Sequence, residues 1–167
     1  LVGQAQVTAT DINVNTQITI PFDILPGDLV IASLNRSTTS GNILGGHVVS
    51  VSSGTIGTQW RTTASRASTH NLGMVAAFCT SQIASGSTLN VETTSNSNKR
   101  GLVVSVWRGC EIKAPEAATA DSATGGNGST SYGYNANANT FSFNVGPQTT
   151  PNALVIGAYG VGSNTNV

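Results

Sequence analysis

Alternation of apolar and polar residues constrains this chain more than any other feature. Ile12, Val14, Thr16, Ile18 and Ile20 alternate with Asn13, Asn15, Gln17 and Thr19, a period of two that gives an extended strand one dry face and one wet face. No stretch of comparable length repeats at the helical period of 3.6, and strong helix formers such as Leu, Glu, Lys and Met are sparse. Turn residues punctuate the pattern: Pro21 and then Pro26-Gly27-Asp28 end this strand and turn the chain. The run Leu29-Val30-Ile31-Ala32-Ser33-Leu34 is too short for a helix and suits a central strand buried on both sides. The same reasoning predicts strands over residues 4–8, 47–52, 59–65, 72–79, 87–92, 102–108, 139–145 and 154–159. About ten short strands without intervening helices imply antiparallel pairing, because parallel pairing needs crossover elements. The predicted fold class is all-β, an antiparallel β-sandwich or jelly roll, with residues 1–167 forming one domain.

Residues 114–139 interrupt the pattern, since Gly125-Gly126-Asn127-Gly128-Ser129-Thr130-Ser131-Tyr132-Gly133-Tyr134 has no apolar periodicity. This reads as a long loop, either a solvated connector or an adhesive segment in which Tyr132 and Tyr134 supply contact area. Trp60 and Trp107 sit in strand patterns, where packing is the expected role and stacking on sugar rings is the alternative. Pro26-Gly27-Asp28-Leu29-Val30-Ile31-Ala32 is echoed by Pro151-Asn152-Ala153-Leu154-Val155-Ile156-Gly157, each copy a turn placed directly before an apolar strand.

Charge is scarce. Charged residues make up 8% of the chain, against about 25% in an ordinary globular protein, and seven basic residues balance seven acidic ones. Such a surface has no field or basic track to draw in nucleic acid, and little electrostatic cost opposes self-association. A homo-oligomeric assembly is expected on that ground. No apolar run approaches the roughly 20 residues that span a bilayer, so membrane insertion is not expected.

The residues that carry chemistry are few and scattered. His47 follows Gly45-Gly46 and reads as a strand start, whereas His70 in Ser68-Thr69-His70-Asn71 reads as a turn; neither has a nucleophile beside it, and no GxSxG elbow is present. Asp11, Asp23 and Asp28 sit beside turns; Asp23 and Asp28 flank a Pro-Gly corner, where turn formation is expected in preference to Ca²⁺ ligation. Cys79 and Cys110 fit no metal or redox spacing, and two buried thiols are expected in preference to a disulfide. The expectation is a protein without catalytic residues, cofactor or metal.

Ile18-Thr19-Ile20-Pro21, Pro26 to Ala32 as quoted above, Gln59-Trp60, Gly73-Met74-Val75-Ala76-Ala77-Phe78, Val104-Ser105-Val106-Trp107-Arg108-Gly109 and Asn152-Ala153-Leu154-Val155-Ile156 occur in that order. The succession resembles the β-sandwich modules of tailed-phage virion proteins, found in head-decoration, fibre and tail-associated proteins. The resemblance implies an extracellular virion structural or decoration protein that contacts other virion subunits, and it carries over no catalytic residue. The chain departs from the pattern in its Thr, Ser and Asn content and in stopping soon after the Leu154 strand, which leaves open whether another chain completes the sheet. Two other readings compete: a secreted or cell-surface carbohydrate-binding or adhesin module using Trp60, Tyr132 or Tyr134 on a glycan, and a strand-exchanging subunit of an extracellular filament.

Overall fold

The computed structural model describes residues 1–9, 13–37, 48–66, 70–97 and 99–111. These form eight strands and no helix: β1 (Gly3–Ala9), β2 (Asn13–Thr19), β3 (Leu29–Ser37), β4 (Val48–Val51), β5 (Thr55–Arg66), β6 (His70–Ser81), β7 (Thr88–Ser97) and β8 (Lys99–Trp107). Every pairing is antiparallel, in a five-stranded sheet of order β1-β8-β3-β6-β5 and a three-stranded sheet of order β2-β7-β4. The predicted strands over residues 139–145 and 154–159, the loop at 114–139, the second copy of the Pro-turn echo and His47 lie outside the described residues.

The period-two pattern sets the register. Val30, Ala32 and Leu34 of β3 face the core together with Leu102, Val104 and Val106 of β8, while Ile18 of β2 and Leu89 and Val91 of β7 enter the same apolar cluster from the other sheet. A one-residue slip would turn each of these sets toward water, so burial fixes the pairing. Most strands outrun their sequence patterns, β5 and β7 furthest: β5 begins at Thr55 and β7 continues to Ser97, both through stretches with Thr, whose β-branched side chain suits a pleated sheet. His70 opens β6, opposite Ser37 and Arg66, in place of the turn expected there.

Two of the chain's passages between the sheets, the β2–β3 and β6–β7 crossings, are copies of each other. Between β2 and β3, Leu25-Pro26-Gly27-Asp28 closes with Asp28 N–H donating to the Leu25 carbonyl at 3.0 Å; between β6 and β7, Ala84-Ser85-Gly86-Ser87 closes with Ser87 N–H donating to Ala84 at 3.1 Å. Gly27 and Gly86 take φ of 90° and 86°, the left-handed geometry that the third position of a type II turn requires. Ile24 and Ile83, both fully buried, exchange two backbone hydrogen bonds of 2.9 Å at the centre. The flanking bonds also correspond: Gly27 N–H to Cys79 and Cys79 N–H to Asp28 match Gly86 N–H to Ile20 and Ile20 N–H to Ser87. Local two-fold pseudosymmetry therefore equates Ile20 with Cys79, Ile24 with Ile83, Gly27 with Gly86 and Asp28 with Ser87.

Candidate interaction surface

The equivalent polar residues at the two crossings are both buried, and each has a partner suited to it. Asp28, 1% exposed, accepts from Arg108 Nε at Oδ1 and from Arg108 Nη2 at Oδ2, each at 2.7 Å, and from the Leu25 amide at 2.8 Å. This bidentate bond just past β8 holds the Asp28 carboxyl below its ordinary pKa, against the opposing effect of burial. Ser87 instead meets the Ser53 hydroxyl at 2.6 Å. Asp23 accepts from the Ser85 amide at 2.8 Å, so both aspartates of the corner bind turn and side-chain donors, the arrangement of turn-forming residues. Among the described residues no group of three or more His, Cys, Asp or Glu side chains converges.

Cys79 and Cys110 are both free thiols. Cys79 is buried in the core, its Sγ 2.9 Å from the Ser81 carbonyl, and burial together with the nearby Asp28 charge pushes the thiol pKa up.

The inner strands β3, β6 and β8 carry apolar residues on both faces of the five-stranded sheet. Leu29, Ile31, Met74, Phe78, Val103 and Trp107 alternate with the core residues of their strands and so point away from the core. Ile31 and Phe78 are nonetheless only 4% and 5% exposed. The unbroken apolar run at residues 29–34 carried this signal in the sequence. The Trp107 indole N–H donates to Ser105 Oγ at 3.2 Å, which satisfies its one polar atom within the sheet. Trp60 lies in β5 with its backbone opposite Ala76; Tyr132 and Tyr134 lie outside the described residues.

The sheet edges differ sharply. Unpaired N–H and C=O groups along an edge invite another strand, and proteins blunt them with short strands, charges, prolines or bulges. Strand β4 has only four residues, and the Gln59 side-chain amide occupies Val49: Gln59 Nε2 donates to its carbonyl at 2.8 Å and its N–H donates to Gln59 Oε1 at 3.2 Å. Strand β5 shifts register at Thr55/Ile56 and Ile56/Gln59 and carries Arg61 and Arg66; β2 shifts between Asn13 and Asn15. Strand β1 has none of these guards. Its seven residues, Gly-Gln-Ala-Gln-Val-Thr-Ala, pair with β8 in uninterrupted register and contain no charge and no proline. Among the described residues β8 is its one partner. The absence of charge from this segment can be read in the sequence, whereas the Gln59 cap and the Arg108 clasp cannot. Comparison of the chain with protein-family models, with curated proteins and with solved structures finds no match.

Proposed function

We propose that the chain is a structural subunit of a phage-type virion, of the decoration, fibre or tail-associated kind, built as a jelly-roll β-sandwich and working through protein–protein contacts. The observation that carries the reading is the strand order. Strand β1 pairs with β8, β2 with β7 and β3 with β6, which is the order produced when one long hairpin is wound around a core. The fourth pair of that series, β4 with β5, is joined by the Gln59 amide. Jelly rolls of this kind build viral capsid proteins as well as lectins, and fold alone does not choose between them. The choice of virion rests on surface chemistry: charged residues are 8% of the chain, and a neutral, unguarded strand edge suits packing against other subunits.

The test pairs two measurements on the same protein. Particles purified from the source organism are analysed by mass spectrometry and labelled with antibody to this chain, and the recombinant chain is applied to a glycan array. A fixed stoichiometry in particles with no glycan bound supports the proposal. Absence from every particle, or saturable glycan binding lost on Trp60→Ala, overturns it in favour of a carbohydrate-binding module.

A further inference from the structure

We propose that the free edge of β1 binds β1 of a second copy of this chain, antiparallel across a two-fold axis at Gln6, joining two five-stranded sheets into one of ten strands. The inference deepens the assembly reading above and rests on it. Its first ground is the contrast among the edges: β4, β5 and β2 are each capped, broken in register or charged, and β1 alone among the described strands is none of these.

The second ground is the strand's own symmetry. Gln4, Gln6 and Thr8 are exposed, whereas Gly3, Ala5 and Val7 are half-buried on the core side. An antiparallel pairing that places Gln6 opposite Gln6 places Ala5 opposite Val7, Gly3 opposite Ala9 and Gln4 opposite Thr8. Small or apolar residues then meet their own kind on one face, and polar residues meet on the other, as a closed two-fold contact requires. No charge in the strand opposes this approach of identical surfaces. The core side of the edge is already shaped for it: a Cβ at Gly3 would run into the Phe22 ring, so the missing side chain lets that half-buried ring lie against the strand and continue the core outward. Backbone hydrogen bonds supply the affinity and the alternating faces supply the register.

The test uses the whole chain. Sedimentation velocity over a wide concentration range reads the monomer–dimer equilibrium of the wild type, of Gln6→Lys and of the double variant Gln4→Lys with Thr8→Glu. Gln6 is exposed, so Gln6→Lys should keep its melting temperature; the two lysines would face each other at the axis and weaken the dimer about tenfold or more. The double variant sets Lys opposite Glu at two symmetric positions and should dimerise at least as tightly as the wild type. Hydrogen exchange on the dilute monomer completes the experiment, with the β1 edge amides expected to exchange quickly there and slowly in the dimer. The proposal is overturned if the chain stays monomeric at every concentration, if Gln6→Lys dimerises as the wild type does, or if the β1 edge amides are protected in the monomer, which would assign the edge to residues 112–167 of the same chain. A chain found in particles yet failing these tests would retain the proposed function and lose this interface.

Discussion

Replacing Asp28 by Asn removes the charge from a carboxylate that holds a turn, the end of β8 and the start of β3 together. Three donors converge on its two oxygens, two from Arg108 and one from Leu25. Asn keeps one acceptor and brings an NH₂ group that must face a guanidinium N–H, so at least one charge-assisted bond is lost inside a buried site. Such a bond contributes about 1.5–3 kcal/mol. Breaking a wholly buried ion pair costs about 3–5 kcal/mol, but the Arg108 side chain is 53% exposed and regains water when released. The expected loss is therefore about 2 kcal/mol, or roughly 4–8 °C in melting temperature for a chain of this size. The folded-state pKa of Asp28 is lowered, so the carboxylate stabilises the protein fully above its unfolded pKa of about 3.9. That contribution disappears as pH falls through the lower folded-state value. Urea denaturation followed by tryptophan fluorescence, at pH 7 and at a series of values below pH 4, should show the gap between wild type and Asp28→Asn closing as pH falls. A gap that is absent at pH 7, or that stays constant into acid, would refute this account of the clasp.

Thr16 is 2% exposed and its hydroxyl has no hydrogen-bond partner among the described residues, so Thr16→Val should stabilise the protein by about 1 kcal/mol; a lower denaturation midpoint for the variant would show that the hydroxyl is satisfied. Gly54 has φ of 71°, and a Cβ there would sit 2.8 Å from the Gln82 carbonyl carbon. Gly54→Ala should cost about 2–4 kcal/mol in thermal denaturation, and a wild-type melting curve would refute that strain. Cys79 is buried with its thiol pKa raised while Cys110 is half-buried; mass-mapped alkylation should label Cys110 in the native protein and Cys79 only after unfolding, and equal labelling rates would contradict the placement of Cys79.

The strands were legible because burial writes itself into a period of two: Ile18 and Ile20 alternate with Gln17 and Thr19 in the sequence, and in the structure the first pair is buried and the second exposed. The turn at Pro26-Gly27 was legible for the same local reason. Its partner at Ser85-Gly86 was not, because the pseudosymmetry matches Asp28 with Ser87 and Pro26 with Ser85, and only Ile24/Ile83 and Gly27/Gly86 remain alike. The Arg108–Asp28 clasp and the Gln59–Val49 contact join residues 80 and 10 positions apart, and no local pattern marks a side chain for a distant partner. His70 was misread because Ser-Thr-His-Asn suits a turn by composition, whereas pairing with β3 and β5 on either side draws it into a strand.

The paired crossings also govern how the chain reaches its native state. Each turn could form alone, but its bonds to Cys79 or to Ile20 reach across the chain; Ile24 and Cys79, which meet there, are 55 residues apart. Neither crossing is complete until the other is in place, so a segment that carries only one of them lacks the backbone bonds that close it. Loop closure must come before most of the favourable contacts, which places the chain among slow folders of high contact order. The same linkage acts in reverse: losing either crossing opens both sheets together, and unfolding should then proceed as a single cooperative event with a high barrier, a property that favours persistence over rapid turnover.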